Sequence, residues 1–139
     1  MNQENLLELV QSQSDNTLIA HLGIEFTKVT KEELVATMPV DERTKQRFGI
    51  LHGGASVVLA ETAASVAGWV NVDPSKKAIV GLEINANHLK TVKSGLVTAT
   101  ATPIRIGKKI HVWSIEIKNE AGELNCISRC TLAVIDKIR

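Results

Sequence analysis

Residues 47–70, RFGILHGGASVVLAETAASVAGWV, contain a single acidic residue, Glu61, in an otherwise apolar run of small side chains. The run opens on His52-Gly53-Gly54. Its composition predicts a helix from about residue 53 to residue 70. The first N–H groups of a helix have no partner inside it, and its dipole is positive there. A glycine at that point lets a carbonyl oxygen approach an N–H with no Cβ in the way. Gly53 is therefore a candidate oxyanion donor, a group whose removal typically costs ~2.7–4 kcal/mol of barrier. Glu61 is a candidate nucleophile or base. An isolated glutamate on a helix is ordinarily a solvent-facing residue, and a lone histidine before a helix is ordinarily a cap. The combination is what points to chemistry.

On a wheel of 100° per residue, Ala55, Val58, Leu59, Thr62, Ala63, Val66, Trp69 and Val70 share one broad arc, expected to lie on a sheet. Glu61 falls outside it with Gly54, Val57, Ala64, Ser65 and Gly68, a side on which another backbone or a ligand could approach closely. Gly53 and Glu61 are eight residues, about 12 Å, apart along one axis. One helix therefore has difficulty placing both on one carbonyl. Two antiparallel helices meeting across a two-fold axis would place Gly53 of one subunit opposite Glu61 of the other.

The surrounding elements must hold this helix. QENLLELVQSQ (3–13) has helical spacing, with Ser14-Asp15-Asn16 breaking it. GIEFTKVT and EELVATMPV read as a hairpin of two strands, and DERTKQRFGILHGG as a loop. Three β-patterned runs follow the helix, at 78–90, 95–107 and 109–135, the last turning at Asn119-Glu120-Ala121-Gly122. The sum is an α+β fold, one long central helix wrapped by a curved antiparallel sheet of five to six strands. A parallel sheet would need intervening helices that are missing.

The 139 residues form one expected domain, with residues 1–21 as an N-terminal helical segment. A net charge of +1 with both signs interspersed gives no sign of a nucleic-acid or membrane-surface binder. Four aromatics, Phe26, Phe48, Trp69 and Trp113, are too few for base-stacking platforms. The N-terminus does not read as a signal peptide, and Glu61 breaks the longest apolar run. Cys126 and Cys130 sit four apart on one strand face, about 13 Å between Cα atoms, too far to bridge. Free thiols fit a reducing cytoplasm. No metal is expected, since His21, His52, His88 and His111 form no ligand motif.

FGILHGGASVVLAETAASVAGWV, VGLEINANHLK and ATPIRIGKKIHVWSIEI resemble the hotdog-fold acyl-CoA thioesterases. Within them the chain is similar to the 4-hydroxybenzoyl-CoA thioesterase group, which carries its catalytic glutamate on the central helix, and most to the bacterial 1,4-dihydroxy-2-naphthoyl-CoA hydrolases. The resemblance runs from about Leu22 to Ile135. It implies Glu61 as nucleophile or as base for water, and Gly53 as the N–H that polarises the thioester. It implies that His52 and Gln46 orient the reacting groups, that Ser65 holds water or a substrate hydroxyl, and that His88 lines the pocket near the CoA arm. Contacts to substrate or CoA are further implied for Gly81, Leu89, Lys90, Thr91, Arg105, Ile106, Gly107, Lys108, Lys109 and Ile110. It also implies a dimer of dimers with no cofactor, coenzyme A being part of the substrate. One departure stands out: the relatives' Gln-Pro-Phe-Gly is here Gln46-Arg47-Phe48-Gly49, leaving Arg47 to reach CoA phosphate or solvent.

Thioester hydrolysis suits these parts, because one carboxylate and one N–H suffice without a Ser-His-Asp triad, and no G-x-S-x-G is present. Lys90, Lys93, Arg105, Lys108 and Lys109 are expected to cluster at strand ends, where two or three of them meet the CoA phosphates. The same lysines would also suit a soluble strand edge. Alternatives are a broad-range or proofreading acyl-CoA or acyl-carrier thioesterase, a hydroxyacyl dehydratase on the same fold, and a non-catalytic acyl-CoA-binding domain. A dehydratase would need an H-x-F-P-G style loop, which is absent. A binding domain would have no use for Glu61.

Overall fold

The computed structural model describes residues 2–137. The elements are α1 (Gln3–Gln13), α2 (Leu18–His21), β1 (Glu25–Val29), β2 (Leu34–Pro39), α3 (Gly53–Val70), β3 (Lys77–His88), β4 (Leu96–Ile106), β5 (Ile110–Lys118) and β6 (Leu124–Asp136). The strands form one antiparallel sheet in the order β1-β2-β4-β5-β6-β3. Both hairpins read from the sequence are present, and the α+β architecture is as expected. The short helix α2 is an addition. Asn16 takes a positive φ of 61° after α1, and Thr17 then caps a new turn through its Oγ1.

The sheet curls around α3, which touches β2, β3, β4, β5 and β6. Register shifts at Phe26/Lys28, Gly81/Glu83, Pro103/Arg105 and Ile117/Lys118 bend the strands locally. The core fills the concave side, with Leu34, Met38, Leu59, Trp113, Ile115, Ile117 and Leu132 fully buried. Cys126 and Cys130 are free and buried among them. Burial pushes the Cys130 thiol up to about 12, with the Glu61 and Glu83 carboxylates adding to the effect. Both cysteines therefore pack as apolar groups, as expected.

The face that α3 turns to the sheet differs from the expectation. Its buried residues are Ala55, Ser56, Leu59, Ala60, Ala63, Ala64, Ala67 and Gly68, whereas Val58, Thr62, Val66, Trp69 and Val70 are half-buried. Ala64 and Gly68, expected beside Glu61 on the open side, are inside. Close approach explains the choice. A Cβ at Gly68 would stand 2.6 Å from Leu132 Cδ1 and 3.3 Å from His111 Nδ1. The helix lies too near the sheet for larger side chains, so the smallest residues mark the inner face. A wheel weighted by hydrophobicity cannot find that face on a helix that is apolar nearly all round. By length and composition α3 also meets the criteria for a membrane span, but it is the core helix of this sheet.

His111 is 1% exposed, lies edge-on to Trp113, and its Nδ1 has no partner among the described residues. Burial disfavours its cation and lowers its pKa below 6.5. The unfolded chain therefore binds more protons than the folded one just below that value. This contribution to stability is complete above about pH 6.5 and is lost as pH falls from there towards the folded pKa. The urea midpoint should accordingly drop between pH 7.5 and 5.5, and His111→Gln should flatten that slope. An unchanged slope in the variant would assign the acid sensitivity to other groups.

Candidate active site

The connection from β2 to α3 is held by its own backbone. Thr44 Oγ1 donates to Pro39 O at 2.7 Å, and the His52 N–H donates to Thr44 O at 2.8 Å. The Gln46 N–H donates to Ile50 O at 2.9 Å, and the Leu51 N–H to Val92 O at 2.8 Å. Gln46 also accepts the Phe48 N–H on its side-chain oxygen. The Asp41–Arg43 pair closes the tip at 2.6 Å and holds the Asp41 carboxyl below its usual range. Arg47 lies over the Phe48 ring, 5.1 Å from its centroid.

At the end of this loop His52 caps α3. Its Nδ1 accepts the Gly54 N–H at 2.8 Å, which leaves the ring proton on the exposed Nε2. His52 O accepts from Ala55 and Ser56. Among the described residues only the Gly53 N–H, of the first four in α3, has no acceptor. Two imidazoles require the two glycines. A Cβ at Gly54 would stand 2.9 Å from the His52 ring, and one at Gly53 would stand 3.0 Å from His88 Nε2. The result is a pre-set N–H donor in a cleft of about 340 Å³ between the loop, the start of α3 and the end of β3.

Glu61 lies two turns further along α3, half-buried, with its carboxylate over β3. A Cβ at Gly81 would stand 2.8 Å from Glu61 Oε2, so this glycine makes room for the acid. Glu61 opens into a separate cleft of about 380 Å³, shared with Val57, Ser65, Val66, Leu18 and Ile19.

Within one chain, then, the expected site residues fall into three groups. Gln46, Gly53, His88, Leu89, Lys90 and Thr91 line the first cleft. Glu61 and Ser65 line the second, with Gly81 beneath the acid. Arg105, Ile106, Gly107, Lys108, Lys109 and Ile110 line a third hollow, at the β4–β5 turn. The expected single cluster of cations is not found in one chain. Lys90 and Lys93 flank the start of β4, whereas Arg105, Lys108 and Lys109 lie at its far end, roughly 30–35 Å away along eleven residues of strand. Lys90 is also paired with Glu123 at 3.1 Å. The sequence reading missed Ser56 and Asn125 in the first cleft and the α2 wall of the second. Burial of a polar residue at a strand bulge leaves no periodic signal.

A helix held in the concave face of a six-stranded antiparallel sheet is the hotdog architecture. The Thioesterase superfamily model matches residues 48–126, which span the loop, α3 and most of the sheet. The chain is 46% identical over 129 residues to a 1,4-dihydroxy-2-naphthoyl-CoA hydrolase of Escherichia coli, covering 93% of each. It is 44% identical over 129 residues to a proofreading thioesterase of Cronobacter turicensis, covering 93% of each. A solved thioesterase of Haemophilus influenzae superposes with a TM-score of 0.91 at 50% identity, covering 96% of this chain and 92% of that one. The chain belongs to the thioesterase superfamily, and it is a thioester hydrolase.

The two functions of His52 can be separated. His52→Ala should lose about 1 kcal/mol of stability with the cap, and His52→Asn, which can still cap, should lose far less. If the exposed Nε2–H orients substrate, both variants should lose kcat/KM alike. Full activity in His52→Asn would reduce the histidine to a cap.

Proposed function

We propose that the protein hydrolyses an aromatic acyl-CoA to the free acid and CoA, in sites each built from two copies of the chain. The observation that carries this reading is the separation of its parts. The one free N–H of the α3 start and the Glu61 carboxylate are about 12 Å apart on one rigid helix and open into different clefts. A second helix running antiparallel removes that separation. The edge of β3 supports such pairing, because β3 bonds only β6 and exposes Val80 and Leu82. A free edge with apolar residues is a template for another strand. In that arrangement the β4–β5 turn of one copy also approaches the Gly53 cleft of the other, which brings Arg105, Lys108 and Lys109 towards the CoA phosphates.

The thioester C=O accepts from the Gly53 N–H, and oxygen attacks its carbon. Either Glu61 takes a proton from water as the water attacks, or its carboxylate attacks and water cleaves the resulting anhydride. In both routes the oxyanion collapses, the C–S bond breaks, and the CoA sulfur leaves and is protonated. The Phe48 ring, 76% exposed beside Gln46, offers a flat apolar face to an aromatic acyl group. The E. coli relative supports the same substrate class. A dimer or higher assembly and a cytoplasmic location complete the reading.

Two inactive variants test the shared site. Glu61→Ala and Gly53→Val homodimers should each release almost no thiol. Unfolded together and refolded, they should recover about a quarter of wild-type activity, because half the dimers are mixed and each mixed dimer has one intact site. Absence of any rescue, with mixed dimers verified, would place the site within one chain. Lys108→Ala/Lys109→Ala should raise KM for acyl-CoA several-fold with little change in kcat, and added salt should raise KM for the wild type. An unmoved KM in both experiments would put the phosphate site elsewhere.

A further inference from the structure

Asn125 occupies an unusual place for a polar side chain. In the β5–β6 ladder Ile117 faces Cys126 and Lys118 faces Leu124, so Asn125 is the extra residue of a bulge. Bulges re-aim side chains, and here the effect is to bury one that strand alternation would have exposed. Asn125 is 3% exposed, and its Oδ1 is buried with no hydrogen-bond partner among the described residues. Its backbone is pinned, since Asn125 O accepts from the Leu89 N–H at 2.9 Å and the Lys90 N–H at 3.4 Å. It lines the same cleft as Gln46, Gly53, Ser56 and His88.

An unsatisfied amide oxygen in the interior costs about 1–3 kcal/mol. Nothing in the free chain offsets that cost at Asn125. A bound ligand with a polar group at this depth would. The CoA phosphates must remain near solvent and cations, and Lys90 and Thr91 at this cleft are exposed. The end of the ligand remote from the phosphates is the acyl group, and it is the part that reaches the buried residues.

We infer that Asn125 is a specificity-determining residue, whose buried carboxamide hydrogen-bonds a hydroxyl on the acyl group held in the Gly53 cleft. This rests on the proposed acyl-CoA hydrolysis in that cleft. The carboxamide carries both an acceptor and donors, and a half-turn exchanges them, so it can receive a ring hydroxyl in either sense. Asn125 does not act on the thioester itself.

The test compares benzoyl-CoA with its 2-, 3- and 4-hydroxy derivatives on wild type, Asn125→Leu and Asn125→Ser, following thiol release. Wild type should hydrolyse one hydroxylated substrate with higher kcat/KM than benzoyl-CoA. Asn125→Leu should lose about tenfold on that substrate and keep its rate on benzoyl-CoA. Asn125→Ser, with a shorter hydrogen-bonding group, should fall between. Thermal unfolding supplies a readout that a structural role would move the other way: Asn125→Leu should unfold no earlier than wild type, because it removes an unpaired polar group. Equal losses on all four substrates, no wild-type preference for any hydroxylated one, or an early-unfolding Asn125→Leu whose Asn125→Ser counterpart keeps the full preference would each overturn the inference while leaving the hydrolase reading intact. No thiol release from any acyl-CoA by wild type would overturn both.

Discussion

A helix is a rigid rod, and that rigidity organises this protein. Its N-terminal N–H groups and any side chain two turns along are separated by a distance that no rotamer can close. Here the rod begins with an N–H left free by its own cap and carries an acid two turns later. The surrounding structure serves both ends. The pinned 41–52 loop and His88 shape the first, and Gly81 clears the second. The proposed chemistry needs both, and so it needs a second rod.

The packing of α3 follows from the same demand for fixed geometry. Small residues on its inner face bring the helix close to β6, with a Gly68 that leaves no room for a methyl against Leu132. Its outer face keeps the larger groups, Val58, Val66 and Trp69, half-exposed beside Glu61. These side chains and the free edge of β3 form surfaces that one chain leaves uncovered. The sheet bulges have a similar double use. They curl strands around the helix, and at Asn125 one of them turns an amide inwards.

Much of this was legible in the residues. The period-two alternation of VTATATPIRI, the turn at Asn119–Gly122 and the long apolar helix fixed the strands and their order of appearance. Gly53 and Glu61 stood out because of their neighbours. Two things were hidden for physical reasons. Which side of α3 faces the sheet depends on how near the sheet lies, a three-dimensional quantity that hydrophobicity does not encode. Which cations act together depends on the ends of β4: Lys93 and Lys108 are close in sequence but lie at opposite ends of a strand. Asn125 was invisible because a single extra residue in one strand changes the direction of its side chain without changing the pattern around it.

The most direct measurement is a crystal structure with a non-hydrolysable thioether or ketone analogue of an aromatic acyl-CoA. The ketone oxygen should lie about 3 Å from the Gly53 N–H of one copy. The carboxylate nearest its carbonyl carbon should be the partner subunit's Glu61, approaching across the two-fold axis. An analogue bound with its carbonyl against a Glu61 of the same chain, or with every Glu61 facing bulk solvent, would contradict the account.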